Sequence, residues 1–364
     1  MRLSSEAFMP AIRSLFVVTI FSVFSLAQKS QTVAPLPSDP LELATGPAQS
    51  LNDPVRRTLA LSLLEGVRQN NGMHTAGGAP FAMKVSFESS GASHFVGLGE
   101  VDETWMNGRT WHWSAHLADY SIHRIFYEGA PYDEKSKGPI PLRIKMVREA
   151  VFWPVSGPFA ASYLRVSTAR WEGADVMCIL QSRGPDAAPN DEPGRHWEER
   201  EFCIDPKSGF LRTYSEAPGI YTIYNYDETL KFHGRTLARS IYVVQGGETV
   251  LQIHLDSIAD PQPASNEFAP SQEALAHGPG AMMASPVRMW VEDDQLPGQN
   301  GVQPVMVHAL LNDKGKVLDA ELLDRNIPLG NDALAFVKTR DFPSGYKGDR
   351  EREAFIEVKF VPKQ

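Results

Sequence analysis

Cysteine is scarce in this chain: two residues, Cys178 and Cys203, among 364. That excludes a disulfide-dense scaffold. Neither has the CxxC partner or the helix N-terminus beside it that would lower its pKa for catalysis. Long hydrophobic runs are also missing, since the apolar stretch 14–27 is shorter than the roughly 20 residues a membrane-spanning helix needs. No basic stripe occurs. Lys and Arg number 35 against 44 Asp and Glu, a formal charge of −9, which makes nucleic acid a poor partner. No Gly-rich phosphate loop follows a strand, no GxSxG occurs, and Glu292-Asp293-Asp294 lacks the Gly and the later Glu of a calcium loop. His112 and His116 would stand about 13 Å apart along a strand. His123, His196, His233, His254 and His308 have no Cys or carboxylate at ligand spacing. No metal, no cofactor and no catalytic residue is therefore expected, although a Ser-His-Asp triad gathered from distant positions stays open on one sequence. Glu198, Glu199 and Glu201 beside Arg195 and Arg200 read as a solvated strand face.

What is present begins with a leader. Arg13 precedes an apolar run ending Ser25-Leu26-Ala27, and Gln28-Lys29-Ser30 is polar, which predicts a secretory signal peptide (1–27) cleaved after Ala27. The expected location is periplasmic or otherwise exported; an uncleaved anchor in the inner membrane is the alternative. An even cysteine count in an oxidising compartment favours a Cys178–Cys203 disulfide over two buried thiols. Residues 28–50, rich in Pro, Ser and Ala, read as a flexible lead. A helix then follows, capped by Asn52 or Asp53, with Pro54 in its first turn, Val55, Leu59, Leu63 and Val67 on one face, and Gly72 at its end.

Charged residues at 22% and hydrophobics at 42% suit an ordered chain, and the length favours two domains. The first, 51–272, is mostly β. Phe81, Met83, Val85 and Phe87 alternate with Ala82, Lys84, Ser86 and Glu88. Further strands are predicted around 96–105, 110–116, 121–127, 176–180, 197–204, 210–215, 221–227, 238–244 and 250–258. Antiparallel strands in that number curve, because twist accumulates. One helix with Leu142, Ile144, Val147 and Val151 lies between Pro141 and Pro154. A Pro/Gly-rich linker, 273–303, leads to a second domain, 304–364. There, Val305 to Leu311 form a strand, Asn312-Asp313-Lys314-Gly315 a tight turn, and Val317 to Leu322 a strand with Leu318, Ala320 and Leu322 on one face. Gly330-Asn331-Asp332 open a helix presenting Ala333, Phe336 and Val337, and Ile356, Val358 and Phe360 alternate in a last strand. The fold class expected is α+β and mainly β: a curved antiparallel half-barrel with covering helices, then a small α+β domain.

Two resemblances follow from these residues. Val307 to Ala320, Asn331 to Lys338, Asp341-Phe342-Pro343 and the closing strand to Phe360 resemble the carboxy-terminal domain of TonB, the energy transducer of outer-membrane import. The Tyr-Pro element often found before the first strand is replaced here by Ser285-Pro286-Val287-Arg288-Met289-Trp290. Residues 51–272 resemble the lipoprotein-carrier (LolA-like) half-barrel: a helix, Phe81 to Phe87, Gly97-Leu98-Gly99-Glu100-Val101 with Trp105 and Trp111, a Pro-bounded helix, then Cys203 to Leu211, Tyr224 to Gly234 and Asn266-Glu267-Phe268-Ala269-Pro270. The second resemblance implies a cavity for acyl chains or an apolar protein segment, with Phe87, Trp105, Trp111, Trp113 and Phe126 as expected lining. The expectation is a non-enzymatic envelope binding or scaffold protein, holding a lipid or other apolar ligand and touching an envelope or outer-membrane protein partner through a free strand edge. The alternative is a TonB-type energy transducer.

Overall fold

The computed structural model describes residues 49–361, apart from 52, 76, 92, 137, 157–162, 172–173, 183–194, 263–266, 281–285, 294–302, 325 and 345–350. The signal segment and most of the lead lie outside the described residues. In chain order the elements are β1 (Gln49–Ser50), α1 (Pro54–Asn71), β2 (Phe81–Ser89), β3 (Gly97–Asn107), β4 (Thr110–Leu117), β5 (Tyr120–Tyr127), β6 (Ala130–Ser136), α2 (Leu142–Phe152), β7 (Tyr163–Trp171), β8 (Ala174–Ser182), β9 (Arg200–Ile204), β10 (Leu211–Ser215), β11 (Ile220–Phe232), β12 (Arg235–Gln245), β13 (Glu248–Ala259), α3 (Gln272–His277), β14 (Val287–Asp293), β15 (Val305–Asn312), β16 (Val317–Leu322), α4 (Gly330–Thr339) and β17 (Glu351–Phe360). α3 and β14 fall within the Pro/Gly-rich stretch.

Thirteen strands form one antiparallel sheet in the order β1-β7-β8-β9-β10-β11-β12-β13-β2-β3-β4-β5-β6. Its ends do not pair, so the sheet is curved but not closed. Alternation on β2 is strict, with Phe81, Met83, Val85 and Phe87 buried. Register shifts on β3, β11, β12 and β13 bend the strands and add twist. Adjacent β8 and β9 place Cys178 opposite Cys203, and the two sulfurs are bonded at 2.05 Å.

A second sheet, ordered β14-β17-β15-β16, carries α4 on one face. Val307, Ala309, Leu311, Ala320, Leu322, Ala333, Val337, Ile356 and Val358 form its core. The β15–β16 turn is built as its residues require: Asn312 Oδ1 accepts from the Lys314 and Lys316 N–H groups at 2.9 Å, and Gly315 takes φ +78°. At Gly315 a Cβ would also meet the Phe342 carbonyl oxygen at 1.9 Å. The other face of this sheet packs on the first one. Phe355 and Leu323 belong to the core cluster of the large sheet, and the two sheets make one compact unit.

Two faces differ from expectation. α1 is capped by Asp53, whose Oδ1 accepts from Val55 N at 2.9 Å, but it buries Ala60, Leu64, Val67 and Asn71. Val55 and Leu59 are exposed at 77% and 55%. The expected stripe lay one residue off the real face, because both stripes share Val67. Between β15 and β16, Leu310 pairs with Asp319 and Leu311 with Val317, so Leu318 is bulged out and exposed while Val317 packs against the core of that sheet.

Candidate functional site

Strands β2 to β5 pair so that their inner-face residues fall into rows across the sheet. Phe81, Trp105, Trp111 and Phe126 form one row, and Met83, Glu103, Trp113 and Arg124 the next. Val85, Val101, Ala115 and Ile122 make a third, then Phe87, Gly99, Leu117 and Tyr120. All five residues expected to line a cavity therefore share this face. Trp105, Trp111, Trp113 and Phe126 are gathered together, whereas Phe87 stands two rows from Trp113 and lies flat over Gly99, where a Cβ would come within 2.3 Å of its ring.

α2 lies against the first row, where Phe152 stands 6.1 Å from Phe81 ring to ring and the Arg148 guanidinium carbon 5.5 Å from the Trp111 centroid, whereas α1 packs on β12. Ala60, Leu64 and Val67 of α1 and Ile144, Val147, Val151 and Phe152 of α2 share the core with them. The His74 ring lies 5.8 Å from Trp105, 5.3 Å from Trp111 and 4.5 Å from Trp153. Trp111 and Trp153 are half-buried, so the aromatic row reaches the surface at this end.

Within this apolar layer sits a charged cluster that sequence reading missed. Arg148 of α2 places its guanidinium carbon 3.8 Å from the Trp113 ring centroid and 4.8 Å from that of Trp153. Its Nη2 bonds Glu103 Oε2, and His74 Nε2 bonds Glu103 Oε1. Burial pushes the Glu103 carboxyl up, but the His74 and Arg148 charges beside it outweigh that and hold it below its ordinary value. Burial drives the Arg148 guanidinium down to about 10, against the pull of Glu103. The available signal was Glu103 itself, a carboxylate at an inward position between Val101 and Trp105.

A second cluster lies where α2 meets the C-terminal sheet. Met146, Glu149, Ala150, Tyr214, Glu216, Thr222, His308, Glu353 and Phe355 line a cavity of about 20 Å³, room for about one water molecule. Tyr214 Oη lies 2.9 Å from Glu149 Oε1 and also bonds Glu216. Glu216 is gripped by Arg200 at 3.1 Å and by Arg288 at 2.7 Å. His308 Nε2 stands 2.6 Å from Glu353 Oε1. Burial, with Glu216 and Glu353 adding to it, pushes the Glu149 carboxyl up to about 8. Burial acts on Glu216 too, but Arg200 and Arg288 overcome it, and its carboxyl stays below the ordinary value.

The acidic run leading into β9 is not a solvated strand face. Glu199 and Glu201 are buried; Arg165 forks onto Glu199 at 2.8 and 2.7 Å, and Arg195 lies 3.5 Å from Glu201. Cys178, Cys203 and Glu201 bring potential metal-ligating atoms within 4.8 Å of one another, but the two sulfurs are bonded to each other. His112 meets Glu267 at 2.8 Å. Among the described residues, no helix is long and apolar enough to cross a membrane.

No family model and no curated protein matches this chain. Among solved structures it is similar to a LolA superfamily protein from Nitrosomonas europaea, at 8% identity and a TM-score of 0.36, over 57% of this chain and 96% of that one. It is also similar to a domain described as an outer-membrane lipoprotein-sorting protein from Vibrio parahaemolyticus, at 8% identity and a TM-score of 0.33, over 57% of this chain and 95% of that one. Scores this low transfer nothing about function.

Proposed function

We propose that this protein is an exported, non-enzymatic carrier that shelters a lipid chain or an apolar protein segment on the inner face of its curved sheet. The supporting observation is the row Phe81-Trp105-Trp111-Phe126, against which lie Phe152 and Arg148 of α2 with His74 and Trp153. An open sheet can exchange such contacts for a ligand without breaking a strand pair. Backbone hydrogen bonds hold the strands, while α2 is held over them by packing and by Arg148 on Glu103. An acyl chain entering at Trp111 and Trp153 would replace the contacts of Phe152 and Val151, apolar area for apolar area.

The C-terminal sheet supplies the partner contact in this reading. β14 and β16 are its outer strands, and Trp290 on β14 is 55% exposed beside Lys359. An added strand needs free backbone groups at such an edge and tolerates the missing Tyr-Pro element.

Titration of the full chain with a fluorescent fatty acid tests the carrier reading. Saturable binding accompanied by a change in Trp fluorescence is expected, and it should be lost in Trp111→Asp with the far-UV spectrum unchanged. Absence of binding to the folded wild type at any concentration below micelle formation contradicts it.

A further inference from the structure

Helix α2 is unusual for a helix buried on all sides: among its eleven residues it carries Arg143, Lys145 and Arg148, each with almost no exposure. Arg148 is anchored inward on Glu103, but the other two are anchored outward on the C-terminal sheet. Arg143 meets Glu321 of β16 at 2.8 Å, and Lys145 faces Glu351 of β17 at 3.8 Å. Glu351 also accepts the Ile140 N–H at 3.1 Å, just before the helix. Arg288 of β14 donates to Glu198 O and to the backbone and carboxylate of Glu216 on the large sheet. The contact between the C-terminal sheet and the carrier half is thus rich in buried ion pairs. Replacing such pairs with apolar residues is often neutral or stabilising, so they are weak evidence of a permanent joint. Such polar contacts suit faces that also meet water.

We propose that the C-terminal sheet is a separable cover that latches α2 over the aromatic interior, and that the carboxylates around Glu149 make the latch pH-sensitive. This rests on the carrier reading for what the latch controls, but not for the latch itself. The groups facing Glu149 are Tyr214 of β10, Glu216 after it, Arg200 of β9, His308 of β15 and Glu353 of β17, with Arg288 of β14 behind Glu216. Tyr214 has one hydroxyl proton and two carboxyl neighbours. Glu216 stays ionised beside Arg200 and Arg288, and the ionised carboxylate is the one that takes it. Glu149 can then bond the hydroxyl oxygen only by donating a proton of its own. The seated state therefore holds a proton on Glu149, in keeping with its carboxyl being pushed up to about 8. Lifting the sheet removes Glu353 and admits water, which returns that carboxyl toward its ordinary value of 4.5.

The sign follows from linkage. The seated state binds more protons between pH about 4.5 and about 8, so seating is strongest below that window. It weakens by up to tenfold per pH unit across the window and levels off above it.

Hydrogen exchange of the α2 amides in the full chain, corrected for intrinsic rates, tests this at pH 5.5, 7 and 8.5. Protection of α2 should fall tenfold or more from the first to the last, and Glu149→Gln, which mimics the proton, should shrink that fall to the part contributed by Glu351, whose carboxyl burial also pushes up. Glu353→Gln, which removes one of the carboxylates that push Glu149 up, should shrink the fall, which keeps the test decisive if Glu149→Gln does not fold. Equal corrected protection at all three pH values in the wild type, or an undiminished fall in Glu353→Gln, overturns the latch. Anilinonaphthalene sulfonate fluorescence, read in parallel, separates the two ideas. Falling protection without dye binding leaves the latch standing and removes the carrier, whereas dye binding with pH-independent protection removes the latch and keeps the carrier.

Discussion

Glu103 is the residue on which the interior turns. It is a carboxylate inside an aromatic layer, and it is tolerable there only because Arg148 and His74 both reach it. Removing it leaves Arg148 buried without its counter-charge, so Glu103→Ala should cost about 3–5 kcal/mol in chemical denaturation. A loss under about 1 kcal/mol would mean that α2 is held by packing alone. The pH dependence follows from the same group. Its folded-state carboxyl lies below the ordinary 4.5, so its contribution is complete above that value and is lost as pH falls below it. The denaturation midpoint should decline on acidification below about pH 4.5, and the decline should shrink in Glu103→Gln. Gly99 gives a steric test in the same layer: a Cβ there would lie 2.3 Å from Phe87 Cζ and 2.7 Å from His116 O. Gly99→Ala should therefore destabilise by about 1–3 kcal/mol.

At the scale of elements, β8 and β9 are tied by Cys178 and Cys203, with the buried Glu201 carboxylate within 4.8 Å of both sulfurs. Cys178→Ser should lower stability by about 2–5 kcal/mol in oxidising buffer, with an unchanged midpoint as the contrary result. Most strands were legible in the sequence because their turns are spelled out, as at Asn107-Gly108, Asp313-Lys314-Gly315 and Gly246-Gly247. β6 and β7 were not. β6 runs Ala-Pro-Tyr-Asp-Glu-Lys-Ser, a short polar edge strand with no alternation. β7 mixes Arg165 and Arg170 into a run whose pairing is settled by β8. Leu318 shows a different limit, since a bulge shifts alternation by one and only the partner strand reveals it. The aromatics of the inner face could be read from alternation. Their charged companions could not, because Arg148 and His74 stand 45 and 29 positions from Glu103.

In the whole molecule, an open thirteen-stranded sheet presents its aromatic rows to α2, and a four-stranded sheet presses on the outer side of that helix. The carrier claim depends on whether α2 gives way to a ligand. The measurement that tests it most directly is native mass spectrometry of the full-length protein purified without detergent, followed by solvent extraction of whatever accompanies it. A stoichiometric adduct of lipid or apolar peptide mass is expected, absent from Trp111→Asp. A bare protein mass that takes up no fatty acid on addition would contradict it, and would leave the aromatic rows as ordinary core.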